Sequence, residues 1–217
     1  MKANAAPLLA IFEPKRRLEV PLFQRQYVWN REKHGNPLWE DVKRKFTECL
    51  EGRKDAPVHF LGAMVLDQQL TPTTHVEKRQ VIDGQQRLTT LQIILAAFRD
   101  FCREQGCNDL ADECDLFIVN RGMMADPPVD KFKVWPTALD RRQFADVIEA
   151  GSRTAVEKKH PLMFSKRARK ASSRPEWLRL TYSFIANSEI FFWERRLTSH
   201  FQSINRWQPD WKRVSHP

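Results

Sequence analysis

The sequence has no long hydrophobic run, because no apolar stretch approaches the ~20 residues that a membrane-spanning helix needs. The amino-terminal residues, MKANAAPLLAIFEPKRR, contain a short apolar patch, which a basic cluster follows without a convincing cleavage site. We interpret this patch as a first helix rather than a signal peptide. With 41% hydrophobic and 29% charged residues, the composition is typical of a globular protein. We expect a cytoplasmic protein with no membrane partner.

Metal-binding patterns are missing as well. The four cysteines are Cys49, Cys102, Cys107 and Cys114. They form no CxxC pair and no histidine lies near the cluster of three, so the ligand spacing of a zinc module is absent. We expect free thiols in a reducing compartment. His200 and His216 are part of no His-Asn-His constellation, and no paired carboxylates have a spacing suited to two metals. Nuclease activity is therefore not expected of this chain.

The positive charge is unevenly placed. Residues 1–150 hold 22 Lys/Arg and 22 Asp/Glu, whereas residues 151–217 hold 14 basic and 5 acidic residues, which accounts for the whole net charge of +9. A basic rear part can assist contact with nucleic acid. It can equally be a solvated basic tail, and both alternatives stay open.

One stretch, residues 80–98 (QVIDGQQRLTTLQIILAAF), is dense in functional groups. A short apolar strand leads into Asp83-Gly84-Gln85-Gln86-Arg87, and leucines at helical spacing follow. Asp83 is predicted to cap this helix, with Gln86 as its capping-box partner. Gly84 allows the backbone to turn and a ligand to come close.

Such a turn can bind a ligand, or it can have only the structural role of joining a strand to a helix. Free N–H groups and the helix dipole favour a phosphate at a helix N-terminus, and Arg87 could clamp it bidentately. Many strand-to-helix junctions carry an acidic cap and a glycine with no ligand, and spacing alone leaves the odds even. Two amides and a guanidinium in the first turn are more than an amphipathic helix needs, which favours the phosphate.

A second notable stretch precedes it in the chain. The residue before Pro21 is restricted to an extended backbone, and Gln24-Arg25-Gln26-Tyr27-Val28-Trp29 follows. Tyr27 and Trp29 could pack in the core, the commoner fate of large aromatics, or they could stack on a base. Arg25 could meet a phosphate.

The remaining pattern predicts further helices and strands. A broken helix is expected over 8–19, an amphipathic helix from Pro37 to a stop at Gly52, and a helix from 88 to about 103. An apolar strand over 58–67 is expected to run antiparallel to the strand at 81–82, which would place His59 and Asp83 in one sheet. Residues 108–120 have a weaker helical or strand pattern. A short strand is expected at 131–136, followed by a helix that is capped by Thr137 or Asp140 and ends at Gly151. A basic linker is expected over 152–175 and a helix over 177–197.

Several of these motifs occur in an order that resembles one family. They are VPLFQRQYVW at 20–29, LWED at 38–41, HFLG at 59–62, IDGQQRLTTL at 82–91 and FKVWPT at 132–137 followed by Asp140-Arg141. Together they resemble the N-terminal domain of GmrSD-type restriction endonucleases, which are type IV, modification-dependent systems. The resemblance covers roughly residues 8–150, and the stretch after about Leu197 does not continue it.

The resemblance implies an α+β fold: a small mixed sheet like that of ParB and sulfiredoxin, with packed helices, and a mainly helical C-terminal part. On this basis we expect a ParB-like nucleotide- and DNA-sensing core at 1–105, a helical extension with a short strand at 106–151, and a basic linker and C-terminal helix at 152–217.

The resemblance also implies roles for individual residues. The catalytic residues would be Asp83, Gln86 and Arg87; phosphate would be bound by Gly84, Gln85, Arg87, Gln24 and Arg25; and Tyr27 and Trp29 would sense a base or modified DNA. Asp83 beside a phosphate is repulsive unless a cation intervenes, so we expect Mg²⁺ there together with a nucleoside triphosphate.

Three functions follow from this interpretation. The first is a nucleotide-binding, NTP-hydrolysing regulatory domain of an anti-phage restriction system, with DNA and a separate HNH nuclease subunit as partners. The second is a non-catalytic DNA-binding module. The third is an inactive, truncated remnant, for which sequencing of the downstream DNA is the test.

Overall fold

The computed structural model describes residues 4–53, 55 and 57–159. The expected C-terminal helix over 177–197 and most of the expected basic linker lie outside the described residues. No helix within the described part of the chain is both long and apolar enough to cross a membrane.

The described residues form seven α-helices and four strands. In chain order they are α1 (Leu8–Phe12), β1 (Arg16–Glu19), α2 (Asn36–Leu50), β2 (Val65–Gln68), β3 (Glu77–Asp83), α3 (Gln85–Glu104), α4 (Asn108–Ile118), α5 (Pro127–Asp130), β4 (Val134–Trp135), α6 (Arg141–Ala150) and α7 (Arg153–Lys159). A π-helical turn, Arg31–Gly35, leads into α2.

The four strands form one mixed sheet in the order β2-β3-β1-β4. The central strand β1 is parallel to β3 and to β4, and β2 is antiparallel to β3. The carboxyl ends of the three parallel strands therefore meet at one edge, the place where open sheets with crossover helices commonly bind ligands. The expected α+β fold with a small mixed sheet is confirmed.

A single hydrophobic core joins the sheet to the helices around it. Its fully buried members include Leu18 of β1, Val81 of β3, Leu88 of α3 and Phe144 of α6. The expected division into three parts stays a prediction, and β4, from the middle part, pairs with β1 in the same sheet.

Buried charges fix α3, the helix whose first turn follows β3. The Arg99 guanidinium, 3% exposed, donates to Asp115 at 3.0 Å and to the Ile148 carbonyl at 2.9 Å. These bonds tie α3 to α4 and α6. A buried guanidinium with all these partners satisfied specifies one arrangement of the three helices.

The amphipathic helices are where the sequence places them. The expected helix from Pro37 is α2, and Gly52 follows it with φ 67. The helix from 88 to about 103 is α3, and the one that stops at Gly151 is α6, with Gly151 at φ 67. A left-handed residue just beyond a helix is a common way to end it, and glycine adopts that conformation without steric cost.

The prediction of helix through residue 19 is wrong in its second half, which is the central strand β1. Leu18 N–H donates to the Lys133 carbonyl and Val20 N–H to the Trp135 carbonyl, each at 2.8 Å. These partners lie more than 110 residues away, so pairing with a distant strand overrides the local preference.

The apolar strand expected over 58–67 is also shorter than predicted. Only Val65–Gln68 pair with β3, in the expected antiparallel sense. Val58 and Phe60 are exposed to solvent. His59 does not join the sheet: its Nε2 pairs with Asp41 of α2 at 3.3 Å. An apolar run indicates a strand only where another strand is available to pair with it.

The basic composition predicted a linker from residue 152, but residues 153–159 form the helix α7. Val156 is 2% exposed and packs in the core near α6. The buried Val156 and the ion pair of Lys159 with Asp146 of α6, at 3.1 Å, hold this basic helix against the protein.

Candidate functional site

The strand-to-helix turn at residues 83–87 lies at the carboxyl edge of the parallel strands. β3 ends at Asp83 and α3 begins at Gln85, with Gly84 between them at φ 92. A Cβ at Gly84 would approach Cγ of Met64 to 3.1 Å. The predicted glycine turn is therefore confirmed, since both the left-handed backbone and the close Met64 neighbour favour glycine there. The approach of a ligand to Gly84 stays a prediction.

The expected capping box is wrong. The residue at the cap position is Gly84, and no side chain caps α3. Asp83 is exposed, and its carboxylate has no ion pair or hydrogen bond with any residue that the structure describes. Asp140 is likewise not a side-chain cap for α6. The Asp83 carboxylate is thus open to other contacts, whereas the buried Asp140 carboxylate has partners of its own, described below.

The amides of Gln85 and Gln86 point back to the earlier 24–29 segment. Gln85 Nε2 donates to the Arg25 carbonyl at 3.1 Å and to Gln24 Oε1 at 3.2 Å. Gln86 Oε1 accepts from Val28 N–H at 2.8 Å and from Trp29 N–H at 3.3 Å.

The other end of the Gln86 amide completes this clamp, because its Nε2 donates to the Gln26 carbonyl at 3.1 Å. Gln24 adds a link of its own by donating from Nε2 to the Ile82 carbonyl at 3.0 Å. The two glutamines therefore hold the backbone of the 24–29 segment against the turn. We call this set of bonds the glutamine clamp.

Tyr27 holds the same segment from the core side. It is 9% exposed; its hydroxyl lies 2.6 Å from Thr90 Oγ1 and its N–H donates to Asp140 Oδ2 at 2.9 Å. Burial raises the pKa of the Tyr27 phenol well above its usual value. Of the two alternatives for Tyr27, the structure favours packing in the core.

Asp140 and Trp29 complete the surroundings of this segment. The Asp140 carboxylate also accepts the Thr137 hydroxyl at 2.6 Å, so its role is to anchor Tyr27 rather than to cap a helix. Trp29 is half-buried and stacks on His34, with ring centroids 5.2 Å apart and planes at 14°. Stacking on an imidazole occupies one face of the indole.

Arg87 contacts a different segment from the clamp, the loop that leads into β2. Its Nη1 donates to the Ala63 carbonyl at 2.9 Å, its only hydrogen bond to the residues described. The guanidinium packs directly on Gly62, where a Cβ would come within 2.8 Å of Nη1. Sequence reasoning noted Gly62 only as part of a motif; its left-handed φ of 92 is the signal of a close approach.

The loop before β2 is fixed by the His59 imidazole. Nε2 contacts Asp41, and Nδ1 lies 3.3 Å from an Arg44 nitrogen, which can only donate. With both ring nitrogens engaged, His59 anchors the loop that carries Gly62 and Ala63 instead of offering a free base.

Three charged groups remain open to solvent at this edge. Asp83 and Arg25 are exposed and have no charged partner within the described ranges, and Arg87 has no carboxylate partner there. An unpaired guanidinium at a helix N-terminus is a suitable group for a phosphate. Gln24, next to Arg25 in the chain, contacts the turn through its hydrogen bonds with Gln85 and with the Ile82 carbonyl.

A Mg²⁺ ion fits this edge only as a partner of a bound phosphate. Within the described ranges, no three His, Cys, Asp or Glu side chains come together to hold a metal. Mg²⁺ commonly uses one or two carboxylates and takes its other ligands from phosphate oxygens and water. Asp83, a single exposed carboxylate, is consistent with that arrangement.

A separate cleft of about 460 Å³ lies near the amino ends of β1 and β3, and its lining includes Arg17, His75 and Lys78. The buried Arg17 guanidinium is ion-paired with Asp130 and donates to Glu19. None of the residues that the sequence predicts for the site lines this cleft.

The sequence that carries the turn and the clamp lies within the match to one family model. The chain matches the family model described as GmrSD restriction endonuclease, N-terminal domain, over residues 8–207. The chain belongs to this family. No curated protein matches the chain.

As a GmrSD N-terminal domain, the chain is a domain of GmrSD-type restriction endonuclease systems. The resemblance seen in the sequence is thereby confirmed, and its extent is corrected. The family match continues through residue 207, whereas the motifs alone suggested an end near residue 150 and a loss of the family pattern after Leu197.

Proposed function

We propose that this GmrSD N-terminal domain binds and hydrolyses a nucleoside triphosphate at the 83–87 turn and thereby regulates a DNA-restriction system. The observation that supports it most strongly is the state of Arg87. Its guanidinium rests on Gly62 and is held by one carbonyl, so it is positioned but not neutralised by a carboxylate. Such a group can accept a phosphate without first breaking an ion pair.

The roles at the turn follow from this placement. Backbone N–H groups of residues 84–86, at the N-terminus of α3, bind phosphate oxygens. Arg87 offsets negative charge on the transferring phosphoryl group. Asp83 holds Mg²⁺ or orients a water molecule, and a bound Mg²⁺ would supply charge neutralisation between that carboxylate and the phosphate.

Gln85 and Gln86 have positioning roles in this proposal. The sequence suggested that one of them aligns the attacking water, which stays a prediction. The hydrogen bonds of both amides to residues 24–29 support a different task, because they couple the phosphate turn to the segment that carries Arg25. Nucleotide bound at the turn and a ligand bound at that segment would then influence each other's affinity.

The test compares Arg87→Ala with Arg121→Ala, in nucleotide binding and in phosphate release. Arg121 is an exposed arginine paired with Asp115 at 3.3 Å, far along the chain from the turn. We expect loss of Arg87 to lower the hydrolysis rate by ~10²–10³ and the control to leave it unchanged. Equal rates and affinities in the two variants would reject the assignment.

A second candidate is a DNA-binding module without turnover, with a nuclease subunit as its effector partner. The exposed, unpaired Arg25 on a held segment supports it. It predicts DNA affinity that falls steeply with salt and no phosphate release from any triphosphate.

A further inference from the structure

The cleft near the amino ends of β1 and β3, which we call the amino-end cleft, has the size of a small-molecule site. Its volume of about 460 Å³ lies within the range of roughly 300–1,000 Å³ that is usual for such sites. Lys78, near the start of β3, lines the cleft, whereas Asp83 ends the same strand. Five residues of strand span about 17 Å, so the cleft is separate from the 83–87 turn.

Hydrogen bonds fix both chain segments that border the amino-end cleft. In the β2–β3 connection, Gln69 N–H donates to the Lys78 carbonyl at 3.0 Å, and Lys78 N–H donates to Thr71 Oγ1 at 3.2 Å. Beside α5, Asp126 N–H donates to Asp130 Oδ2 at 3.0 Å. A site that is formed before its ligand arrives loses little conformational entropy on binding.

The cleft has a surplus of positive charge at Lys78. Its Nζ lies 3.4 Å from a Glu19 oxygen, and the same carboxylate also pairs with Arg17 at 3.2 Å and with Arg141 at 3.6 Å. With Asp130 paired to Arg17, three cations face two carboxylates. Lys78 is the most exposed of the three cations, with 41% of its side chain accessible. It is therefore the group that can take a further anion.

The buried Arg17 guanidinium, which also lines the cleft, has a donor to spare. Arg17 is 8% exposed and is the register partner of Lys78, so both side chains lie on one face of the sheet. Its Nε has no hydrogen-bond partner among the residues that the structure describes. Since buried donors are nearly always hydrogen-bonded, this nitrogen favours an oxygen-bearing ligand nearby.

The lining also contains one free carboxylate, that of Asp126. The side chain is exposed, and it has no ion pair or hydrogen bond with any residue in the described ranges. Asp130, by contrast, is occupied by Arg17 and by the Asp126 N–H group. A free carboxylate attracts an ammonium group and repels polyanions. The cleft is therefore unsuited to a nucleotide or to DNA.

Apolar side chains make up much of the remaining lining. Val76 is 5% exposed, whereas Leu70, in the β2–β3 connection, is fully exposed. Pro72 and Ala125 add apolar surface from the two bordering segments. A ligand with an apolar group would remove part of this surface from water, which favours binding.

We propose that the amino-end cleft binds a small zwitterion of the amino-acid class that has an apolar side chain. The carboxylate of the ligand pairs with Lys78, and its ammonium group pairs with Asp126. The apolar side chain of the ligand covers Leu70 and Val76. This inference goes beyond the proposed function and does not depend on it, because no residue predicted for the nucleotide site lines the cleft.

The test is isothermal titration calorimetry of the full chain with free leucine, valine, methionine and phenylalanine. At least one of these amino acids is expected to bind the wild type. The tightest-binding one is then compared with its amide, which lacks the carboxylate, and with its N-acetyl derivative, which lacks the ammonium group. Each derivative is expected to bind about tenfold or more weakly, as follows from the loss of one hydrogen bond between charged groups.

Two variants assign the charged groups of the ligand to their partners. Lys78→Gln should bind the amino acid about tenfold or more weakly and no longer prefer it to its amide. Asp126→Asn should lose the preference over the N-acetyl derivative. A general loss of structure would not exchange the preferences in this way. The matched controls are Lys158→Gln and Asp109→Asn, which change exposed residues outside the cleft and should bind as the wild type does.

Three results would overturn the inference. They are the absence of binding by all four amino acids, derivatives that bind as tightly as the amino acid itself, and cleft variants that bind like their controls. The absence of triphosphate binding by the wild type would instead reject the proposed function alone, because that function uses different residues at the other end of β3.

Discussion

Replacing Gln86 with alanine tests whether the glutamine clamp holds residues 24–29 in place. The side chain is 6% exposed and makes three hydrogen bonds, to Val28 N–H, Trp29 N–H and the Gln26 carbonyl, at 2.8, 3.3 and 3.1 Å. Each such bond contributes about 0.5–1.5 kcal/mol net. We expect the free energy of unfolding to fall by about 2–3 kcal/mol, which corresponds to roughly 4–12 °C in melting temperature for a domain of this size.

Two measurements follow the change, thermal unfolding and amide hydrogen exchange. Exchange should speed up at Val28, whose N–H loses its acceptor, more than in the middle of α3. Gln86→Glu keeps both acceptor contacts but sets a carboxylate oxygen against the Gln26 carbonyl in a buried position. It should therefore also lower stability, while its effect on exchange at Val28 should be smaller than that of Gln86→Ala. Gln105→Ala is the matched control, since it removes an exposed glutamine at the far end of α3.

The reasoning would be refuted if Gln86→Ala unfolded at the same temperature as Gln105→Ala and left exchange at Val28 unchanged. That result would mean that the 24–29 segment is held by Tyr27, Gln85 and Gln24 without help from Gln86. The coupling between turn and segment would then lose its physical basis.

The structure predicts three further effects. Gly62→Ala should displace the Arg87 guanidinium, since the added Cβ would lie 2.8 Å from Nη1, and titration should show triphosphate affinity reduced towards that of Arg87→Ala. Burial raises the pKa of Cys102 to about 12, so the thiolate fraction of this residue at pH 8 is about 10⁻⁴. When the protein is treated with an alkylating reagent, mass spectrometry should find the exposed Cys49 modified before Cys102. Burial, aided by a neighbouring arginine, lowers the pKa of Lys133 from 10.5 to about 8. Between these two pH values the unfolded chain binds more protons than the folded protein, so the free energy of unfolding rises with pH. Denaturant titrations should show this rise relative to Lys133→Met, by at most about 3 kcal/mol.

Each of these predictions has its own control or contrary result. Gly52→Ala places alanine at a left-handed φ of 67 with no atom within 4 Å, so it carries the backbone strain of Gly62→Ala without touching Arg87. Equal effects of the two variants on triphosphate affinity would contradict the packing argument. Equal alkylation rates at Cys49 and Cys102 would contradict the burial of the latter. A stability difference at Lys133 that stays flat or falls above pH 8 would contradict its lowered pKa.

Local patterns in the sequence predict the local parts of this fold. The leucine spacing of α3 and the glycines at positions 52, 84 and 151 are set by neighbouring residues, and the structure agrees with them. β1 escaped prediction because its sequence, RRLE, has no clear period and its partners are distant strands.

The contacts of the candidate site could not be predicted from the sequence either. The clamp joins residues nearly 60 positions apart, and the seat of Arg87 on Gly62 joins residues 25 positions apart. Sequence reasoning found the residues of the turn but assigned Asp83 and Gln86 to a capping box, because capping is the nearest local use for such side chains. The observed partners of Gln86 depend on how the 24–29 segment folds back onto the turn.

Thermal unfolding of the wild type and Arg87→Ala, each with and without a panel of nucleoside triphosphates and Mg²⁺, tests the central proposal most directly. A triphosphate at about 100 times its dissociation constant should stabilise the wild type by about 2.7 kcal/mol, seen as a higher melting temperature. Arg87→Ala should show much less of that stabilisation under the same conditions. No stabilisation of the wild type by any triphosphate, or the same increase in both proteins, would contradict the assignment of a phosphate to the 83–87 turn.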